Sequence, residues 1–313
     1  MKLVETALDL AAHLLTLLAL PILVIGIINR TKALWSGRKG QPILQSLYDL
    51  VRLLRKRPVY SEVATPVFTT APSVVLGGAL LCGLIAPLLG ARAPLSFPFD
   101  FVFFAYIFGL SRLALILGAL DTGSSFEGMG ASREATFSAL AEPALLLALG
   151  TLAAATGKTT FSELLQLRVV DPSSFVVWAG CVIALFIVLE VESARIPVDD
   201  PNTHLELTMI HEVMILDHSG PDLAALQYGS AIKLGVFTAL LATLLNPFAG
   251  RADKLWVGAA NLALTLGIAV FIGTVESLIA RLKLRAIPQF ILLGIVAAFV
   301  ALLAVAWRSG GAG

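Results

Sequence analysis

Apolar residues fall along this chain in runs of about 20, separated by polar stretches, and this long period dominates every shorter one. Twenty residues is the length an α-helix needs to cross the roughly 30 Å hydrocarbon core of a bilayer. Eight such runs stand at about 4–29, 66–89, 98–120, 135–156, 174–191, 229–249, 255–280 and 289–307. A backbone in hydrocarbon must satisfy its own hydrogen bonds, so the runs predict helices. The ten-residue alternation of an outer-membrane barrel is absent. The expected fold is all-α: a polytopic transmembrane helix bundle, one integral membrane domain over residues 1–313. No internal repeat supports an inverted-repeat transporter. The first run reads as a spanning helix rather than a cleaved signal, because it is too long and its basic cluster follows it.

The polar stretches at about 30–65, 121–134, 192–228 and 281–288 lie on one side of the bundle by parity. That side carries Arg30, Lys32, Arg38, Lys39, Arg52, Arg55, Lys56, Arg57, Arg133, Arg195, Arg281, Lys283 and Arg285. The other side has Lys2, Arg92, Lys158, Arg168, Arg251, Lys254 and Arg308. The positive-inside rule makes the richer side cytoplasmic, which puts both termini on the outer side. Within the first stretch, Ile43, Leu44, Leu47, Leu50, Leu53 and Leu54 share a face and predict an amphipathic helix near 42–54 that lies along the membrane surface. Its basic flank suits anionic lipid or a partner subunit. The stretch 192–228 is acidic, with Glu192, Asp199, Asp200, Glu206, Glu212, Asp217 and Asp222 against the single Arg195. Its interleaved apolar residues and the helix-start signal at Asp200-Pro201-Asn202-Thr203 predict a short amphipathic helix docked on the bundle or on a partner.

Composition agrees: 58% of residues are hydrophobic and 14% charged. The net charge of +1 offers no global field to attract nucleic acid. The two cysteines, Cys82 and Cys181, sit apart inside apolar runs and form neither a CxxC pair nor an iron–sulfur set. Any redox centre must therefore belong to a partner.

Ionisable groups inside spanning helices are costly, and each is a functional candidate by default. Asp9, Arg112, Glu142, Glu190, Lys233 and Glu276 are such groups, with Glu192 and Arg195 just past a helix end. Glu142 precedes Pro143 in mid-run and must face protein or water; Lys233 and Glu276 read as close to helix ends, where snorkelling would suffice for either alone. Together they make a candidate proton or ion path, because a cation moving beside a buried carboxylate changes its proton affinity. His204, His211 and His218 repeat every seven residues. The gap spans about 10 Å of helix, too far for neighbours to share one ion, and no HExxH occurs. Packing along a helix face or contact with a partner is the better reading, and no metal ligand is assigned. The glycines Gly123, Gly128 and Gly130 lack the strand a nucleotide fingerprint needs and read as a turn with close backbone approach.

Four stretches carry a resemblance. Gly118-Ala-Leu-Asp-Thr-Gly-Ser-Ser-Phe-Glu-Gly-Met-Gly-Ala-Ser-Arg-Glu-Ala135 resembles the membrane subunit of formate hydrogenlyase and related energy-converting group 4 [NiFe]-hydrogenases, homologous to subunit 1 of respiratory complex I. Gly37–Asp49 resembles the family's first cytoplasmic loop. Glu192–Asp199 with Thr203–Leu207 resembles its acidic loop, and Glu276–Leu284 the approach to its last helix. The resemblance implies a membrane anchor and ion-coupling subunit in a bacterial or archaeal cytoplasmic (inner) membrane. The implied partners are hydrogenase large and small subunits, a ferredoxin-like iron–sulfur subunit and antiporter-like membrane subunits. The iron–sulfur clusters and NiFe centre would lie in those partners, with no cofactor in this chain. It also points to Glu134, Glu142, Glu192, Asp199 and Glu206 along a path for protons or sodium, with Arg133 and Arg195 as neighbouring cations. Lys233 and Glu276 complete the candidate path. Against complex I, Asn202 stands where the acidic loop carries glutamate, and Asp217 where that subunit usually has Glu. These departures favour the hydrogenase branch over the alternative, a quinone-reactive subunit of a respiratory NADH dehydrogenase-type complex.

Overall fold

The computed structural model describes residues 2–90, 93–199, 209–250 and 253–310. Eight helices in it are long and apolar enough to cross a membrane, as the run pattern predicts, and no strand occurs among the described residues. They are α1 (Lys2–Trp35), α3 (Pro66–Ile85), α4 (Asp100–Asp121), α5 (Ser125–Thr156), α7 (Pro172–Glu192), α8 (Gly220–Leu245), α9 (Lys254–Leu278) and α10 (Ile287–Gly310). Two shorter helices complete the set, α2 (Gln45–Leu54) before α3 and α6 (Phe161–Leu164) before α7.

The starts and stops have local causes. Thr65 accepts a hydrogen bond from the Val67 backbone, and Pro66 supplies the fixed φ suited to a first turn. Asp121, at the end of α4, accepts from the Thr65 backbone and hydroxyl and so ties α3 to α4. Asp171 and Ser174 form a capping box at the start of α7, with Pro172 next. Hydrogen bonds from Ser173 and Ser174 lower the Asp171 carboxyl to about 2.

Helix α8 is the axis of the bundle. It packs on α1, α3, α7 and α9, and it is the most buried of the eight spanning helices. Its neighbours form a ring around it, with α5 and α10 closing against α7 and α4 against α3. The main core joins Leu17, Val24, Cys82, Phe104, Leu149, Val188, Phe237 and Leu240, drawn from six helices. Both cysteines are buried thiols inside it.

Three expected loop boundaries are corrected. The stretch 121–134 is not a loop: α5 begins at Ser125 and only residues 122–124 turn. Glu127 and Glu134 face inward and are buried, and hydropathy cannot separate such a helix from a loop. Gly130 permits the approach of the Val213 side chain and the Ile210 carbonyl, both of which a Cβ would overlap. The span expected at 229–249 begins at Gly220, with Pro221 in its first turn, so the acidic stretch shortens and Lys233 lies in mid-helix rather than near an end. The first span runs on to Trp35, which makes Lys32 helical.

The amphipathic helix expected near 42–54 is present as α2. Gly26 of α1 lets it in, since a Cβ there would overlap the Ile43 carbonyl oxygen. Its apolar face, including Leu44, Leu47, Val51 and Leu54, is exposed. Of the helix expected in the acidic stretch, residues 200–208 lie outside the described residues, and the remainder folds as one 3-10 turn, Glu212–Ile215.

Candidate functional site: a buried charge network around a cavity

The backbone puts one guanidinium among three carboxylates. Arg112, near the middle of α4, is buried. Its Nε lies 3.1 Å from Glu134 Oε1 on α5. Its two terminal nitrogens donate to Glu142, two turns further along α5, and to Glu192 at the end of α7. The planar fork of arginine makes this fan possible, since its donors point in fixed and different directions. Glu192 uses its second oxygen for Lys233 Nζ on α8, at 2.6 Å. Lys233 also lies 5.7 Å from the Phe108 ring centroid, within cation–π reach. The second oxygen of Glu134 lies 3.6 Å from His211 Nδ1 in the connection before α8.

A second cluster sits nearer the end of the bundle that carries the longer connections. Glu276 of α9 takes Lys32 Nζ at 2.6 Å and Arg195 at 3.5 Å. Asp199 takes Arg281 at 3.2 Å and accepts from the backbone of Ile210 and His211, which fixes the connection between α7 and α8. Glu190 is fully buried, and neither carboxyl oxygen has a hydrogen-bond partner among the described residues. The opposing charge of Arg195 and the like charge of Glu276 both act on it.

A cavity of about 440 Å³ joins the clusters. Arg112, Glu134, Glu192 and Lys233 line one part; Lys32, Arg195, Asp199 and His211 line another. Gln45, Asp49 and Leu50 of α2 form a further wall, while Leu47 and Leu54 are exposed on its other side. Arg112 and Lys233 confront three carboxylates, so the first cluster carries one unbalanced negative charge when all are ionised. One proton on a carboxylate or on His211 restores balance. Buried charges are tolerated only when paired, so such a set can take up one proton or cation.

Of the residues singled out from sequence, Glu134, Glu142, Glu192, Asp199, Arg195, Lys233 and Glu276 converge on this network. Arg133 points elsewhere, donating to the Met209 carbonyl. Glu206 lies outside the described residues. Asp9 forms an exposed pair with Lys254 at 2.7 Å, away from the network. Sequence reasoning set Arg112 among many intramembrane charges without giving it the central place. It missed Lys32, hidden by a helix boundary drawn too early, and read His211 as packing along a helix face or contact with a partner rather than as a neighbour of Glu134. Among the described residues, no three of His, Cys, Asp and Glu gather as a metal site would require.

The fold and the network define a multi-span membrane protein with a charged cavity between its helices. The chain belongs to the NADH dehydrogenase family (the subunit 1 family), whose profile matches residues 8–307. It is 29% identical over 298 residues to formate hydrogenlyase subunit 4 of Escherichia coli K12, covering 92% of this chain and 94% of that one. It is 30% identical over 244 residues to hydrogenase-4 component C of the same organism, covering 78% and 76%. An NADH-quinone oxidoreductase subunit of Rubrobacter xylanophilus is 26% identical over 211 residues, covering 66% and 62%. The fold is shared with a chain of the membrane-bound sulfane sulfur reductase, an archaeal respiratory membrane complex, at TM-score 0.79 and 20% identity, covering 97% of this chain and all of that one. The resemblance read from the four motifs is therefore correct at the level of family.

Proposed function

We propose that this protein is the membrane anchor and ion-coupling subunit of a hydrogenase-like complex, linking electron transfer in a peripheral arm to movement of protons or sodium. The observation that carries the reading is the pair of charge clusters joined by one cavity, from Arg195 and Asp199 to Arg112 and its three carboxylates. Idle carboxylates are not retained in a bilayer. The arm docks on the face formed by residues 36–65 and 209–219, where Val59, Tyr60, Val63 and Leu216 are exposed outside the spanning helices. The redox cofactors, iron–sulfur clusters and a NiFe centre, belong to hydrogenase large and small subunits and a ferredoxin-like subunit; antiporter-like chains adjoin it in the membrane. The relatives in formate hydrogenlyase and hydrogenase-4 support this branch by identity and coverage.

Purification of the native complex tests it. A [NiFe] large subunit co-purifying with the chain is the expected result. A monodisperse chain without partners overturns it. The second reading, a quinone-reactive subunit, has the cavity in its favour, since about 440 Å³ falls in the range that holds small organic ligands. Loss of activity with a quinone-site inhibitor would select that reading instead.

A further inference from the structure

Glu190 stands in the last turn of α7, fully buried, and neither of its carboxyl oxygens meets a donor among the described residues. It does not line the cavity, although Glu192, Ser193 and Arg195 just beyond it do. Two residues are about 200° of α-helix, so Glu190 and Glu192 leave α7 on nearly opposite faces. Glu192 turns to Arg112 and Lys233. Glu190 turns to the second cluster, where the charges of Glu276 and Arg195 act on it. The Arg195 backbone N–H donates to the Glu190 carbonyl at 3.0 Å, which ties Arg195 to this last turn.

The cations of the second cluster are engaged elsewhere. Lys32 and Arg195 both pair with Glu276. An ionised carboxyl without a donor in a closed interior is costly, and the neutral acid is much less so. With Glu190 neutral, Lys32 and Arg195 face one carboxylate, an excess of one positive charge. The Arg112 cluster has the opposite excess, two cations against three carboxylates. Moving one proton from Glu190 to the Arg112 cluster balances both clusters at once.

We infer that Glu190 is the proton store of the second cluster, and that one proton alternates between it and the carboxylates around Arg112, across the end of α7. This rests on the reading of the chain as an ion-coupling subunit and gives its path a seat outside the cavity. The stored ion is a proton rather than a metal ion, since no three of His, Cys, Asp and Glu gather there among the described residues. Lys32 is the moving part: it lines the cavity and its side chain is 21% exposed, so it has room to turn away from Glu276. The bared Glu276 carboxylate then takes the proton. The O–H bond of Glu190 breaks, one forms on Glu276, and Arg195 turns to the carboxylate left behind. The cavity beside Lys32 leads on to Glu134 and Glu192.

Infrared spectra of the native complex test this. Wild type should show the carbonyl band of a carboxylic acid free of hydrogen bonds, and Glu190→Gln should lack it. Glu190→Asp keeps an acid on a shorter arm and should displace the band. Glu190→Gln has the shape of the neutral acid, so the complex should assemble while proton translocation in proteoliposomes falls at least tenfold. Lys32→Met leaves Arg195 alone to balance Glu276, so the band should persist while translocation falls. A wild-type spectrum without the band, loss of carboxylate bands in its place in Glu190→Gln, or undiminished translocation in that variant overturns the inference. So does a band lost in Lys32→Met, or one unmoved in Glu190→Asp, which decides the matter even where the glutamine variant fails to assemble. If the band is absent while a [NiFe] large subunit co-purifies, this inference alone falls. If no partner co-purifies, the functional reading falls first, and the band still reports where the proton sits.

Discussion

Arg112 organises the site because one planar cation satisfies three carboxylates from two helices. Removing it leaves the buried Glu134 and Glu192 facing Glu142 without the guanidinium between them, with Lys233 beside Glu192 as the remaining cation. Arg112→Leu should therefore lower stability by about 3–5 kcal/mol, the usual cost of breaking a buried pair from one side. Arg112→Lys keeps the charge but not the fork, so its loss should be smaller. Thermal dissociation of the purified complex measures both, and equal midpoints for wild type and the leucine variant would refute the central role. Glu142 tests function rather than folding. Glu142→Gln retains the hydrogen bond to Arg112 and removes the titratable group, so assembly should persist while ion translocation in proteoliposomes drops at least tenfold. Unchanged translocation removes Glu142 from the path. These residues were legible in sequence as intramembrane charges, each costly alone. Their pairing was not, because Arg112 and Glu192 are 80 positions apart.

At the scale of elements, the connection into α8 carries a pH-sensitive joint. His218 is buried, and its ring stacks on Phe68 of α3 with centroids 3.9 Å apart. Neither ring nitrogen has a hydrogen-bond partner among the described residues. Burial pushes its pKa below the ordinary 6.5, although Asp222 and Asp217 pull the other way. The folded pKa is thus lower than the unfolded one, and the unfolded state binds more protons as pH falls. The stabilisation is complete above about 6.5 and is lost as pH drops toward the depressed value. His218→Phe keeps the stack and removes the titration. The drop in thermal midpoint between pH 7.5 and pH 5.5 should be smaller in the variant than in wild type; an equal drop would place the acid sensitivity elsewhere. Element boundaries were the weakest part of the sequence reading. The start of α5 at Ser125 and of α8 at Gly220 lie outside the apolar runs, because these first turns pack on protein through Glu127, Gly130, Gly220 and Ala224 and need no apolar run to do so.

For the whole molecule, eight spans put both termini on one side of the membrane by parity. The described connections 36–65, 122–124, 193–199, 209–219 and 279–286 lie together at the other end of the bundle, and the first and last of them carry most of its Lys and Arg. The positive-inside rule predicts that this end is cytoplasmic and the termini external. A C-terminal alkaline phosphatase fusion should be active and a green fluorescent protein fusion dark; the reverse pattern inverts the orientation and with it the side on which the arm docks.

The sequence by itself determined the membrane, the helices and their number, because hydrogen-bond satisfaction in hydrocarbon leaves a run of 20 apolar residues no other form. Its four motifs also carried the family. Tertiary structure alone decided which charges meet. Helix packing brings Arg112, Glu134, Glu192 and Lys233 from four helices to one cavity, and sets Lys32 beside Glu276 across 244 positions of sequence. Apolar periodicity reports how each helix meets lipid, but contacts between charges depend on the rotation and depth of each helix against its neighbours. Those are fixed by side-chain packing around α8, which no single segment encodes.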